Sequence, residues 1–326
     1  RIAVEEAGRQ TLIRFAKGPA LDYAVEMLGV KRLQPAAAVT RILFTLENTL
    51  PQSYIVPEGT KLSTSDSVCA FSTTETAIIP PGELACEVNA VCDTTGFIGN
   101  NYGIGTIKAL VSPLSYIKSA ENTTVSSGGA DLEGDEHLRE RGFLAPGSFS
   151  VAGPDDAYKF WAMSAHQDVI DVAVSSIPGT GIVNIFILLK DMSVSDAIKT
   201  SMCKYIENYL SHEKKRPLTD QVVVAIAKKV PFIINTDITL YQSEKYRAER
   251  IREEITAALK AYAAETRSRL GRDIVPSQIA ALIQSVKGVY NVILSEPPYK
   301  KVKPEEWPCC LDADITINIA EDGEDG

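Results

Sequence analysis

Ser126-Ser127-Gly128-Gly129-Ala130-Asp131-Leu132-Glu133-Gly134-Asp135-Glu136-His137-Leu138-Arg139-Glu140-Arg141-Gly142 divides the chain into two differently patterned regions. Adjacent glycines open backbone conformations closed to other residues, and the carboxylates of Asp131, Glu133 and Asp135 then fall where a helix should begin, complementing its dipole. A capped helix after a tight turn follows, acting as a joint between domains. Before it lie Thr- and Gly-rich segments of strand character. After it come periodic helices alternating with apolar strands.

Gly128-Gly129-x-Asp131-x-Glu133, followed by Glu136, Leu138, Arg139 and Arg141, resembles the signature of the baseplate J-like family. Leu21-Asp22-Tyr23 with Leu28-Gly29-Val30 is similar to that family's N-terminal segment, and Val56-Pro57-Glu58-Gly59-Thr60 to its first hairpin. Gly99-Asn100 with Gly105-Thr106-Ile107 resembles the end of its β domain, so the likeness runs along nearly the whole chain. The resemblance implies a non-enzymatic wedge subunit of a contractile tail baseplate or related injection particle, assembled in the bacterial cytoplasm. It further implies pairing with a second copy, binding to a smaller wedge protein and to hub and sheath-initiating baseplate proteins, and coupling of baseplate rearrangement to sheath contraction. Its alternatives are a tail-associated glycan-degrading enzyme and a carbohydrate-binding adhesin.

With 326 residues the chain exceeds one usual core, and two to four domains are expected. Hydrophobic residues at 45% and charged residues at 23% are ordinary for a globular protein, and no apolar run approaches the roughly 18 residues of a spanning helix. No charged-then-apolar leader opens the chain, and Arg1 in place of Met suggests a few residues missing upstream. A net charge of -9, from 42 acidic and 33 basic residues, argues against binding driven by phosphate neutralisation, so nucleic acid is not expected as a partner, and without a spanning apolar run neither is a membrane. The clusters Lys214-Lys215-Arg216 and Lys300-Lys301-Val302-Lys303 read as solvated surface. Cys69, Cys86, Cys92, Cys203, Cys309 and Cys310 show no CxxC spacing and read as free thiols.

The expected fold class is α+β: N-terminal helices, a β-rich domain, then two small open-sheet α/β domains. Residues 1–39 form a helical assembly segment, in which Leu12 and Phe15, then Leu21 and Leu28, recur at helical spacing. Short helices with one apolar stripe each cannot bury those stripes alone, so these four residues are assigned to an assembly interface. Residues 40–126 show period two, as in Arg41-Ile42-Leu43-Phe44-Thr45-Leu46, with turns at Pro51, Pro57, Gly59, Pro80, Pro81 and Gly82. Residues 127–230 read as helix, strand, strand, helix and strand, with Ala157, Phe160, Trp161 and Ala165 on one helix face. Residues 231–326 repeat the logic with a strand from Pro231 to Tyr241, a long helix closed by Gly271, a shorter one from Pro276, and strands around a Pro- and Lys-rich loop holding Trp307. Two adjacent α/β units suggest a duplication, and the acidic tail from Glu321 is expected to fray.

Chemical motifs are sparse. Gly96, Gly99, Gly103 and Gly105 lack a following P-loop Lys-Ser/Thr, and His212-Glu213 lacks the second metalloprotease ligand because position 216 is Arg. Asp131, Glu133, Asp135, Glu136 and His137 are dense enough for a metal site, but Gly134 stands in the wrong place for a calcium loop, and capping with salt bridging is the better account. No Gly-x-Ser-x-Gly elbow occurs. No residue is expected to act in catalysis or to bind a cofactor or metal. Arg139 and Arg141 could clamp a carboxylate of a neighbouring subunit or pair internally with Asp131 or Glu133, and Gly128-Gly129 could be a hinge or a rigid turn. The structural joint is therefore assigned to Gly128, Gly129, Asp131, Glu133, Arg139 and Arg141.

Overall fold

The computed structural model describes residues 2–150, 153–212, 215–217 and 219–319, and the acidic tail lies outside them. Two compact units emerge: Arg1–Phe149 with His166–Asp168 and Ser193–Ile206, and Ser150–Ala165 with Val169–Met192 and Glu207–Gly326.

In the first unit, α1 (Ile2–Arg9) and α2 (Pro19–Glu26) precede the strands. Leu12 and Phe15, expected on a helix, instead lie in the turns between them. The carbonyls of Ile13 and Ala16 accept from Arg139, at 2.9 and 2.6 Å, instead of closing helical turns. Gly18, at φ 52°, and Pro19 then start α2, where a fixed φ suits the first helical position.

The strands that follow are β1 (Ala37–Leu46), β2 (Tyr54–Val56), β3 (Lys61–Thr64), β4 (Ala70–Thr73), β5 (Ala77–Ile79), β6 (Ala85–Thr95), β7 (Ile107–Leu110) and β8 (Ile117–Asn122). β2 and β5 form an antiparallel ribbon, and the others one antiparallel sheet in the order β7-β3-β4-β6-β1-β8. Period two decides its faces: Ala38, Ile42, Phe44 and Leu46 are buried along β1, and the first three share one core with Val56, Leu62, Phe71, Val88 and Ala90. Burying one such Phe or Leu side chain stabilises by about 1.5–3 kcal/mol, as an upper bound against a compact unfolded state. The two edge strands are drawn together by Asn122. Its buried amide accepts from Ile107 N at 2.9 Å and donates to the carbonyls of Gly103 and Thr124 at 2.9 and 2.8 Å. The N–H of Gly105, a residue with φ 74°, donates to the Asn122 carbonyl at 3.0 Å, so the sheet curls toward closure. After β8 comes α3 (Asp135–Leu144).

The second unit opens with α4 (Asp155–Ala165), whose Ala157, Phe160 and Ala165 are buried; α4 packs on β9 (Val169–Ile177). β9 pairs antiparallel with β10 (Ile182–Leu189), and β11 (Gln221–Ile226) pairs parallel with β10; α5 (Asp196–Leu210), between them in sequence, belongs through Ile206 to the first unit. The stretch read as one strand from Pro231 is instead broken at Phe232-Ile233 into β12 (Lys228–Pro231) and β13 (Ile234–Leu240). α6 (Ala248–Arg267) and α7 (Pro276–Gln284) cover β13, which pairs antiparallel with β14 (Val289–Glu296) and parallel with β16 (Ile315–Ile319).

The Trp307 loop is a strand, β15 (Glu306–Cys309), pairing parallel with β12 so that Lys229 faces Trp307. It is short and carries Pro308, so nothing local announces it. Residue 230, expected as a domain end, lies inside β12. Leu188 and Ala227 share an apolar cluster with Trp307 and Cys309, and Leu270 N donates to Asp171 at 2.8 Å. The two sheets also differ in connection. β9 leads straight into its central strand, whereas β13 is itself central and reaches its antiparallel neighbour through two helices, which argues against simple copies of one unit.

Candidate functional site

The chain leaving β8 runs back beside the start of β1, with bridges Val39–Ser127 and Ala36–Ala130. Gly128 turns it at φ 86°, a conformation that disfavours a side chain. Gly129 answers to a different need, close approach: a Cβ there would lie 2.4 Å from the Gly96 carbonyl oxygen. Asn100 grips the same residue twice, donating to its carbonyl at 2.7 Å and accepting from its N–H at 2.8 Å. Asp131 accepts from Phe97 N at 3.1 Å. Both glycines and Asp131 thus belong to one corner, fastened to the 96–100 turn inside the first unit.

Two residues further on, Glu133 is 2% exposed and has every oxygen engaged. Its Oε2 accepts from Leu33 N and from Arg141, both at 2.7 Å, and its Oε1 accepts from Arg141 at 2.9 Å and lies 2.5 Å from His137 Nδ1. Burial pulls this carboxyl's pKa up, but the His137 hydrogen bond, the Arg141 charge and the Leu33 N–H outweigh it and hold it below the ordinary value. α3 starts at Asp135, so Asp131 and Glu133 are not caps. Asp135 accepts from Gly18 N and from Arg32, each at 2.8 Å, and the Gly18 N–H first, then Arg32, keep it acidic against some desolvation. Arg32 also reaches Asp22, at 2.8 Å, and the Glu133 carbonyl, at 2.6 Å.

The paired arginines part company here. Arg141 binds Glu133 and the Lys31 carbonyl, at 3.3 Å, and is buried. Arg139 meets neither Asp131 nor Glu133: it holds the carbonyls of Ile13 and Ala16 and pairs with Glu136 at 2.5 Å, and it too is buried. Guanidinium forks so enclosed organise residues 13–33 around α3. Arg32 and Asp22, central to this network, were not singled out as ionic partners, because their contacts lie 101 and 103 residues away for Arg32 and no local pattern marks them.

Of the four assembly residues, Leu21 departs from expectation: it is 0% exposed, because α2 packs on α3, where a Cβ at Gly142 would lie 2.8 Å from Val25. Leu12 and Phe15 are 53% and 45% exposed, and Leu28 is half-buried. Tyr23 and Met27, overlooked because they sit off the apolar stripe of α2, are more exposed than either. Among the described residues no three His, Cys, Asp or Glu side chains are placed to hold a metal ion, and no helix is long and apolar enough to cross a membrane.

Barrel-like sheet, buried ionic corner and small α/β sheets define a modular α+β protein. Three family descriptions match it in order: the Baseplate J-like protein barrel domain over residues 41–129, the Baseplate J-like central domain over 150–226, and the Baseplate J-like protein C-terminal domain over 234–318. The chain belongs to the baseplate J-like family. Baseplate protein J of Escherichia phage P2 is 32% identical over 214 residues, covering 66% of this chain and 65% of that protein. Mu-like prophage FluMu protein gp47 of Haemophilus influenzae is 27% identical over 144 residues, 43% of this chain and 39% of that protein. The matches thus span less than two thirds of either relative. A solved structure of the anti-feeding prophage baseplate, 6-fold symmetrised, overlays 88% of this chain and 79% of its own with TM-score 0.41 and 13% identity.

Proposed function

We propose that the chain is a structural wedge subunit of a contractile tail or injection-particle baseplate. In this reading it pairs with a second copy and with a smaller wedge protein, forms a ring around hub and spike, meets the sheath-initiating proteins, and passes baseplate rearrangement to the sheath. The observation that carries it is the ordered run of three baseplate J-like domains. The commitment of Glu133, Asp135, Arg139 and Arg141 to internal bonds supports a mechanical role for this corner over a catalytic one. The two bonds from Asn100 to Gly129 and the positive φ of Gly128 likewise favour a rigid turn over a hinge.

Assembly is assigned to the exposed apolar side chains of the N-terminal segment: Leu12, Phe15, Tyr23 and Met27. Deleting residues 1–38 would be a poor test, since it strips partners from Glu133, Arg139 and Asp135. The combined substitution Leu12→Glu and Phe15→Glu leaves that network alone. It should give a folded chain, by circular dichroism and thermal melting, that no longer enters baseplates when co-expressed with the other tail proteins. Normal incorporation of the doubly substituted chain would refute the assignment.

A further inference from the structure

The short turn after α4, His166-Gln167-Asp168, belongs to the first unit, as do the corner residues Gly128 to Asp131. The Gln167 amide donates to the Asp131 carbonyl, so the turn touches the fastened corner directly. His166 is 8% exposed, and its Nε2 makes no hydrogen bond of good geometry among the described residues, although the Gly128 backbone lies close enough to favour a charged ring. Its Nδ1 accepts the Asp168 N–H at 3.2 Å and lies 3.7 Å from the Asp168 carboxylate. The ring stands edge-on to Tyr205 of α5, centroids 6.5 Å apart. An Nδ1 that accepts a backbone N–H places the imidazole proton on Nε2, which makes this a neutral histidine whose one acceptor site is occupied.

We propose that His166-Gln167-Asp168 is an acid-released latch on the Gly128–Asp131 corner. A second proton on the ring can only go to Nδ1. It turns that atom from acceptor to donor and ejects the Asp168 N–H, whether or not the new N–H then swings toward the Asp168 carboxylate. The charged and titratable groups facing the ring are Asp168 on its own turn and His137 of α3, with the Glu133–Arg141 pair behind His137 and the Tyr205 hydroxyl on α5. Burial, and then His137, act against protonation, while Asp168 and the Gly128 backbone favour it, and the balance holds the His166 pKa below the ordinary histidine value. The sign follows. The closed turn is favoured while the ring is neutral, and below the open-state value of about 6.5 the open form gains about tenfold per pH unit until the closed ring itself titrates.

Amide hydrogen exchange on the full chain, corrected for intrinsic rate, tests this between about pH 7.5 and 5. Protection of residues 166–170 and 127–131 should fall together on acidification in the native chain and stay flat in His166→Asn, which keeps a side-chain oxygen acceptor but cannot titrate. Unchanged protection in the native chain, or an equal loss in His166→Asn, would overturn the latch. Should that variant fail to fold, nuclear magnetic resonance of the native chain serves instead. The His166 ring and the Gly128 and Gly129 amides should titrate with one shared midpoint, and corner amides that ignore the ring would overturn the proposal equally.

Discussion

Glu133 combines burial with a low pKa, and this makes it the residue whose chemistry is most exposed to test. Replacing it by Gln leaves Arg141 buried without its counter-charge, a change that typically costs about 3–5 kcal/mol. The expected outcome is a large drop in urea midpoint at constant slope, with Glu133→Gln, Arg141→Met recovering part of it as coupled pairs do. Because the folded pKa is depressed, the stabilisation is present above the unfolded value of about 4.3 and is lost as pH falls through the folded one. The native chain should therefore lose melting temperature below about pH 5 more steeply than Glu133→Gln. Asp135 shares the sign of shift and will leave a residual slope in the variant.

Gly129 offers a steric test at the same scale. Gly129→Ala drives a Cβ to 2.4 Å from the Gly96 carbonyl and crowds Asn100, so backbone must move. Overpacking of this kind costs about 1–3 kcal/mol. At Gly128 the added Cβ would meet only ordinary contact with Val39, at 4.0 Å, but φ is unfavourable, and Gly128→Ala should cost about 1 kcal/mol. Equal, negligible losses from both, measured in urea, would remove the case for a rigid corner.

Among the elements, the barrel seam rests on one side chain. Asn122→Ala strands the Ile107 N–H, whereas the Gly103 and Thr124 carbonyls lose one bond each but keep those from Thr106 and Thr40. An unsatisfied buried group costs about 1–3 kcal/mol, so the variant should melt early and lose exchange protection at Ile107 first. The sequence made much of this level legible, and the reason is periodicity. Alternation along Arg41 to Leu46 marks the inner face of β1, and three- and four-residue spacing marks the buried face of α4. The same signal failed at Leu12 and Phe15, where apolar spacing mimics a helix while Arg139 takes the carbonyls that would build one. β15 was hidden because four residues with one proline carry no period, and their partner lies in β12. The joint motif was visible as a motif, but Arg32 and Leu33 meet it about a hundred residues on, a distance no local pattern encodes.

Taken whole, the chain offers a test of where its modules divide. Divisions at residues 39, 126 and 230 follow changes of pattern, whereas the chain first passes from one compact unit to the other between Phe149 and Ser150. We propose that the latter is the working boundary. Phe149 is exposed, the Gly128–Gly129 corner is gripped by Asn100, and residue 230 lies in a paired strand. Brief treatment with chymotrypsin should therefore cut first after Phe149, read by intact mass. A first cut with a less selective protease at the Gly128–Gly129 corner would sink the proposal.

The ionic corner also sets a timetable for synthesis. Its bonds to the N-terminal segment join residues 100 to 126 positions apart, so Leu21 and Val25 leave the ribosome long before α3 exists to cover them. At about 5–20 residues per second, that apolar stripe waits on the order of ten seconds without its partner. Nascent chains are therefore most open to capture by chaperones, or to mispairing with one another, while the barrel strands are still being made.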